Sequence, residues 1–561
     1  MNKVKIQKIV TVCSVTAIFL ATAGGQAFAS FQTINQGTGF DSQNDGTATV
    51  SDNLASLNQN AQVIANVGDG TVTTGGSQVS DNTMPGSVAS GVVALDGTFS
   101  NNANTNTLNQ TGSFISDPLA ENNTTGANSV NNSTTTLAES VGASNTNAAD
   151  VGSAITALAV SGNNLISDNT GVGTLGTGDV NGTLAADTTA NSNFLTLTAT
   201  GSTSAANNQA MNTTTGSGSK NDSVVAVNNS IGAENTNTAD VGNDLFATLS
   251  SGGNIISDNT GAANATTGNV SGDTTVTNNV NYNTTAVTMT GSPSITSSNG
   301  TTGAGSLNDA EADVTQTVGV SNSNSARIAN DVRSTTESGG NVMSGNTGAA
   351  NLQTGSATSN TTISNGTTAS PSNTNSTTIG MGSGGASVTA ANSTTGSGSI
   401  NNIDANLTTG VASSNANAMA VRNRVNSLTD SGGNTISNNT GSSTGGASSV
   451  STGDASSATS ITNNLNANTT SVTMNPTATV SSTNNTTGAN SINDSEADVA
   501  NSVTLSNTNN ATVSNAVTTT TESGGNVVSG NTTGGAVTTG SASLSFGATN
   551  TGNTNTTTVG Q

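Results

Sequence analysis

The residues best suited to chemistry in this chain are two acidic triplets with carboxylates at alternate positions. One triplet lies in NDAEADV from Asn308, and the other lies in NDSEADV from Asn493. Alternate side chains share one face of a β-strand, where three carboxylates repel one another unless they are hydrated or bridged by a cation such as Ca²⁺. A solvated acidic edge that discourages lateral aggregation is the simpler interpretation, and no other cofactor is expected. The candidate metal ligands are Asp309, Glu311, Asp313, Asp494, Glu496 and Asp498.

The chain carries few groups for acid–base or nucleophilic catalysis. It has no histidine, and its single cysteine, Cys13, lies in the N-terminal leader, so the commonest general base and the thiol nucleophile are missing. A Ser–Lys dyad would need Lys220, which stands where other copies of the same repeat carry Val, Leu or Ile. The basic and aromatic groups that usually surround a sugar in carbohydrate-cleaving sites are also scarce. We therefore expect no enzymatic activity.

The first 29 residues have the pattern of a secretory signal peptide. Three lysines in MNKVKIQK precede the apolar run IVTVCSVTAIFLATA, and AFA at residues 27–29 supplies small residues for cleavage before Ser30. The run is shorter than the roughly 20 residues that span a membrane. We expect export to the cell surface or the extracellular space, with a mature chain that has no cysteine and hence no disulfide.

Composition limits both the core and the partners of the mature chain. Hydrophobic residues make up 31 % of the sequence, against roughly 45–50 % in ordinary globular proteins. Removing the three leader lysines leaves five cations against 31 acidic residues, a net charge of −26. Such a charge argues against nucleic acid or an anionic membrane as a partner, and we expect no membrane insertion of the mature chain.

Three short phrases recur along the chain about every 90 residues. The phrase SGGNIISDNTG from Ser251 has six related copies, at intervals of 87, 90, 87, 93 and 92 residues. TTGSGSKND from Thr214 and ENTNTADVGNDL from Glu234 each recur five times at matching intervals. Fixed-period similarity is typical of arrays and solenoids. The predicted units are a degenerate first repeat at 30–122 and further repeats at 123–212, 213–299, 300–392, 393–484 and 485–561.

Each repeat contains short β-branched stretches bounded by Gly, Asn, Ser and Asp, which are strand and turn signals. Residues 142–200 divide into pieces of 19, 20 and 20 residues, which suggests rungs of about 20 residues, four to a repeat. Apolar pairs four residues apart, such as Val241 and Leu245, suit one face of a strand and also one helical turn. We predict an all-β parallel β-solenoid of about six repeats, forming a long rod. Tandem β-sandwich domains and a disordered tether are the alternatives.

The central asparagine of SDNTG occurs in all six copies, whereas the residue before it is Asp in three copies, Gly in two and Asn in one. A calcium site would retain its carboxylate, so we interpret the phrase as a structural turn in which Asn and Gly tolerate positive φ. Stacked amides can also pair as ladders. The predicted turn and ladder residues are Asn82, Asn169, Asn259, Asn346, Asn439 and Asn531.

The Asn-, Thr- and Gly-rich repeats behind a leader resemble bacterial adhesin passenger domains and cell-surface fibre proteins with β-solenoid arrays. The resemblance covers the whole mature chain in style, without a family-specific motif. It implies a structural protein that acts in adhesion or in matrix or fibre formation, through self-association or contact with other surface components or neighbouring cells. A functional-amyloid subunit like curlin is the alternative, although the regular Gln positions of curlin are missing. Threonine runs such as 518–521 and 71–73 raise an ice-binding solenoid as an outsider, beside a Ca²⁺-binding one.

Overall fold

The structure is a computed structural model that describes residues 32–114, 118–201, 207–291, 293–367, 371–382, 386–441, 446–474 and 478–560. The predicted signal peptide, with Cys13 and its cleavage site, lies outside the described residues. Within those residues every regular element is a strand, and every strand pairing is parallel.

One repeat of the sequence forms one coil of the solenoid. Asn131 pairs with Asn221, Asn221 with Asn308, and Asn308 with Asn401, so each residue lies beside its equivalent in the next repeat. The predicted parallel β-solenoid is confirmed, and the tandem-sandwich alternative is wrong because strand ladders join each repeat to its neighbours. The expected rung of about 20 residues is also wrong, because clusters such as GASNTN at 142–147 remain extended within one strand.

The first three coils each contain five strands. Coil 1 consists of β1 (Gln32–Gln36), β2 (Gln43–Thr73), β3 (Gln78–Ser80), β4 (Gly86–Ala89) and β5 (Val93–Phe114). Coil 2 consists of β6 (Leu119–Thr125), β7 (Val130–Val160), β8 (Leu165–Ser167), β9 (Gly173–Gly176) and β10 (Val180–Gly201). Coil 3 consists of β11 (Asn207–Thr215), β12 (Lys220–Ser250), β13 (Ile255–Ser257), β14 (Ala263–Thr266) and β15 (Val270–Thr290).

The last three coils repeat this order with two strands divided. Coil 4 consists of β16 (Ser294–Thr302), β17 (Leu307–Glu337), β18 (Val342–Ser344), β19 (Ala350–Gln353), β20 (Ala357–Asn365) and β21 (Ser372–Met381). Coil 5 consists of β22 (Ala386–Thr395), β23 (Ile400–Asp430), β24 (Thr435–Ser437), β25 (Ser448–Ser451) and β26 (Ala455–Met474). Coil 6 consists of β27 (Ala478–Thr487), β28 (Ile492–Asn493), β29 (Glu496–Glu522), β30 (Val527–Ser529), β31 (Gly535–Thr538) and β32 (Ala542–Gly560).

Equivalent strands of the six coils build five sheets. The long sheet contains β2, β7, β12, β17, β23, β28 and β29; the return sheet contains β5, β10, β15, β20, β21, β26 and β32. The entry sheet starts with β1 and β6, and two small corner sheets start with β3 and β4. The return and entry sheets together face the long sheet, so the coil is a flattened loop with two layers.

The molecule is a slab, and the predicted long rod is wrong. A 31-residue strand of the long sheet extends about 100 Å at 3.3 Å per residue. Six stacked coils at about 4.8 Å each are only about 29 Å thick. The long dimension therefore lies along the strands, across the solenoid axis.

Apolar clusters lie between the two layers and alternate with rows of asparagine. Leu245 of the long sheet packs with Leu184 and Val276 of the return sheet in one such cluster. Val241, four residues before Leu245, points inward in the next cluster. The four-residue spacing therefore reflects a strand, and the helical alternative is wrong.

Two successive positions of the phrase SGGN explain its glycines. A Cβ on Gly252 would lie 1.8 Å from the carbonyl oxygen of Gly339 in the next coil, so the coils stack only if this position has no side chain. The following residue has positive φ, at 72° for Gly253 and 58° for Asn163, which Gly and Asn tolerate best. The recurring phrase is thus a corner in which backbones of successive coils touch.

We predict that Gly252→Ala lowers the thermal unfolding midpoint by several degrees, because its Cβ would meet backbone that cannot move without separating two coils. The matched control is Gly176→Ala in β9, where a Cβ would meet nothing within 4 Å and where the next coil carries Thr266. The control should leave the midpoint unchanged or raise it slightly. Equal midpoints for the two variants would contradict the close stacking of these corners.

Candidate functional site: asparagine columns and charged patches of the long sheet

The six asparagines of the SDNTG phrase form one column at a corner of the solenoid. Each side-chain Nδ2 donates to the Oδ1 of the equivalent asparagine in the next coil, over 2.9–3.0 Å. Each backbone N–H donates to the same Oδ1. The column is therefore a continuous amide ladder, and its members are Asn82, Asn169, Asn259, Asn346, Asn439 and Asn531.

The left-handed conformation falls on the residue before this asparagine. Its φ is 57° at Asp81, 56° at Asp258, 68° at Gly345 and 56° at Asn438. Asp, Asn and Gly are the residues that adopt this conformation at least cost. The exchange of Asp for Gly or Asn at this position thus follows from backbone conformation.

A second set of asparagines forms a zigzag between the long sheet and the return sheet. Asn147 donates to Asn193, Asn193 to Asn237, and Asn237 to Asn283, each over 2.8 Å. The zigzag continues through all six coils and fills the interior where no apolar side chain lies. Its members are Asn60, Asn106, Asn147, Asn193, Asn237, Asn283, Asn324, Asn375, Asn417, Asn468, Asn509 and Asn555.

Sequence reasoning missed the role of these residues, although the signal was present. The repeated phrase ENTNTADVGNDL contains Asn235 and Asn237 two residues apart, which places both on one face of a strand. Asn235 donates to the Thr285 hydroxyl over 2.6 Å, and that hydroxyl donates to Asn322 over 2.8 Å. The Asn-x-Asn spacing therefore marks inward positions of the long sheet, where a turn had been expected.

The buried columns have a direction. In coil after coil the Nδ2 of one asparagine donates to the Oδ1 of its equivalent in the following coil, as Asn131 does to Asn221 and Asn221 to Asn308 over 2.8 Å. The same sense holds for the columns through Asn212 and Asn281. Amide donors are consequently directed toward the C-terminal end of the stack and amide acceptors toward the N-terminal end.

We predict that Asn237→Asp destabilises the protein by about 3 kcal/mol or more at pH 8, because it places a carboxylate against acceptor oxygens in a buried row. Acidic pH should partly restore stability, since a protonated Asp can donate one hydrogen bond. Denaturant unfolding at the two pH values measures the effect. Asn228→Asp, on the exposed outer face of the same strand, is the control, and an equal loss in both variants would contradict the structural role of the zigzag.

The structure brings the two predicted acidic triplets onto one surface patch. Both triplets point outward from the long sheet, and coil 5 inserts Asp404 between Glu311 and Glu496 in the same column. Amide groups of coil 5 donate to the coil 4 carboxylates, Asn402 to Asp309 over 3.2 Å. No group of three or more His, Cys, Asp or Glu within the described residues has the arrangement of a metal site. Calcium binding by this acidic patch stays a prediction.

Crowding changes the protonation of the acidic patch. A hydrogen bond to the Asp313 carboxyl group, then burial and the charges of neighbouring carboxylates, raise the pKa of Glu311 to about 7. The charge of Asp498, followed by that of Asp404, raises the pKa of Glu496. Burial raises the pKa of Asp222 in the adjoining coil. Part of the patch is therefore protonated near neutral pH.

The five cations outside the predicted leader all lie on the outer face of the long sheet, and four of them form an arginine patch in coils 4 and 5. Arg333 lies 2.7 Å from Asp331, and Arg424 lies 4.0 Å from the same carboxylate. Arg327 lies 3.7 Å from Asp240 of coil 3. The patch consists of Arg327, Arg333, Arg422 and Arg424.

The columns through the threonine runs are mixed. Thr518 shares its column with Asn426, Arg333 and Phe246, and Thr71 pairs with Leu158. These runs do not extend across the coils as a regular threonine array.

No family model, curated protein sequence or solved structure matches the chain. Within the described residues, no helix is long and apolar enough to cross a membrane.

We predict that Glu311→Gln raises the thermal midpoint at pH 8 relative to the unsubstituted chain and has little effect at pH 4. The folded-state pKa is raised, so the protonated carboxyl stabilises the fold below its unfolded pKa, and this contribution is lost as pH rises through about 7. Partial exposure limits the size of the effect.

The control for this prediction is Glu234→Gln, on the outer face of the same sheet, whose neighbours along the column are Ser144 and Ser321. It should not change the pH dependence. A Glu311→Gln midpoint that follows the unsubstituted chain across the whole range would argue against the raised pKa. Adding Ca²⁺ at pH 8 in the same assay tests the predicted metal site, since binding would raise the midpoint.

Proposed function

We propose that the chain is an exported structural protein that builds an extracellular or cell-surface fibre or matrix, by stacking coil 6 of one copy on coil 1 of the next. This choice joins the structural-protein prediction with its fibre-subunit alternative. Adhesion would then be a property of the outer faces of the assembled fibre.

The observation that carries the proposal is that both terminal coils present open sheet edges. Within the described residues, β2 and β29 each pair with one neighbour only, and β32 is exposed along almost its whole length. Natural sheets normally protect such edges, and solenoids usually end in distinct capping repeats. An edge of this length is a template for another chain.

The two ends are also chemically complementary. Coil 1 and coil 6 carry asparagine in the same columns, as Asn44 and Asn493 do in one of them and Asn60 and Asn509 in another. The amide donors of coil 6 and the acceptors of coil 1 have the direction needed to continue each ladder. Contact between two different surfaces of one molecule generates an open filament when the geometry does not close.

Exposed apolar side chains at both ends support the same interpretation. Leu57 and Val67 of coil 1 are 57 % and 68 % exposed, and Val499 and Phe546 of coil 6 are 53 % and 69 % exposed. In coils 2 to 5 the exposed apolar residues are fewer and less exposed. Stacking would cover part of this surface and extend the apolar clusters between molecules.

The test is a disulfide between successive copies of the mature chain. Leu57 and Ser506 occupy one outward column in coils 1 and 6. Within one molecule they are five coil spacings apart, about 24 Å, but across the proposed junction they are about 4.8 Å apart, within disulfide reach. Leu57→Cys with Ser506→Cys should therefore give a ladder of covalent multimers on oxidation.

Matched controls separate stacking from random oxidation. Each single variant should give no ladder beyond a dimer, and Asp45→Cys with Ser506→Cys should fail because Asp45 lies 12 positions from Leu57 along the strand. Electron microscopy of the unsubstituted chain should show fibres with a spacing of about 4.8 Å along the axis. A chain that stays monomeric, with both thiols free, would refute the proposal.

A further inference from the structure

We propose that the outer face of the long sheet binds the same face of a second copy, in an antiparallel pair held by the arginine patch of each copy against the acidic patch of the other. This inference goes beyond end-to-end stacking and does not require it.

A stripe of small residues crosses the middle of this face and allows close approach. Its two columns contain Gly142, Gly232, Gly319 and Ala412, beside Ser144, Ser321 and Ser414, and they line a shallow depression of about 760 Å³. A Cβ added to Gly142 or Gly232 would meet nothing within 4 Å. Paired β-sheets with short side chains between them can pack closely and exclude water.

Opposite charges lie at equal distances on the two sides of this stripe. In coil 4, Asp313 and Arg327 lie seven residues before and after Val320. In coil 5, Asp404 and Arg422 lie nine residues before and after Ser413. Val320 and Ser413 occupy the same column, so one line along the stacking direction is the midpoint of both pairs.

A two-fold axis along that line turns the charge pattern onto its complement. Coil 4 of one copy would face coil 4 of the other with its strand reversed, so that Arg327 meets Asp313. Arg422 would meet Asp404 in the same way, and the symmetry forms each contact twice. The interface is therefore isologous and closes as a dimer.

The remaining charges are compatible with this arrangement. Asp331 would face Asp309, but Asp331 already lies within 4.0 Å of Arg333 and Arg424. Asp240 has Arg327 at 3.7 Å, and these two side chains are 56 % and 72 % exposed, so Arg327 is free to reach a partner. A chain of net charge −26 after removal of the leader would repel a second copy, and only this face carries clustered cations.

The axis direction makes the pair compatible with stacking. Because it runs along the solenoid axis, both copies keep their open ends pointing in the same direction. A fibre would then contain two parallel stacks joined face to face.

The test uses charge reversal in the mature chain. Arg327→Asp with Arg422→Asp should abolish pairing, and adding Asp313→Arg and Asp404→Arg to the same chain should restore it, because the complementary pattern returns with the signs exchanged. Asp96→Arg with Asp187→Arg changes the charge by the same amount on the exposed outer face of the return sheet and should leave pairing intact.

Two readouts distinguish this inference from the stacking proposal. Where fibres form, their mass per unit length should be two chains per about 29 Å of axis for the unsubstituted chain and one for the double arginine variant. Where no fibre forms, sedimentation equilibrium at low salt should give a dimer that dissociates as salt rises. Single-chain mass in the unsubstituted protein, or pairing that persists in the arginine variant, would overturn the inference while leaving the disulfide ladder unaffected.

Discussion

An amide buried between two sheets must hydrogen-bond to something other than water, and in this fold its partner is the same residue one coil away. Leaving such a group unsatisfied costs more than a single hydrogen bond contributes. The columns through Asn221 and Asn259 meet this requirement in every coil. Because the solution works only when equivalent residues stack, it sets the register of each coil, and the long strands follow from that register.

This dependence explains a composition that is poor in large apolar residues. The interior alternates between apolar clusters, such as the one around Leu245, and asparagine rows, such as the one through Asn237. A row of amides fills the space between the layers and also fixes their relative position along the strand. Hydrophobic side chains alone would tolerate a slip of two residues far better than paired amides do.

The fold class and the repeat could be predicted from the sequence, whereas the size of the coil could not. Recurring phrases and β-branched stretches indicated a parallel solenoid. Asn, Gly and Ser clusters then suggested turns every 20 residues, because these residues have low intrinsic strand propensity. Contacts between coils override that propensity at Asn145 and Asn147, which remain in one strand. The two acidic triplets were visible in the sequence, but their proximity depends on the coil length, and Asp404 joins them only through the stacking.

The 90-residue coil has a consequence for how the chain folds. Nearly every stabilising pairing joins residues 87 or more positions apart, and contacts between distant positions form slowly because the intervening chain must be ordered first. The first coil has no template and is the barrier, whereas each later coil folds onto a finished edge. A newly synthesised chain would therefore remain unfolded long enough to pass through an export channel, and an existing folded edge would shorten the delay for the next molecule.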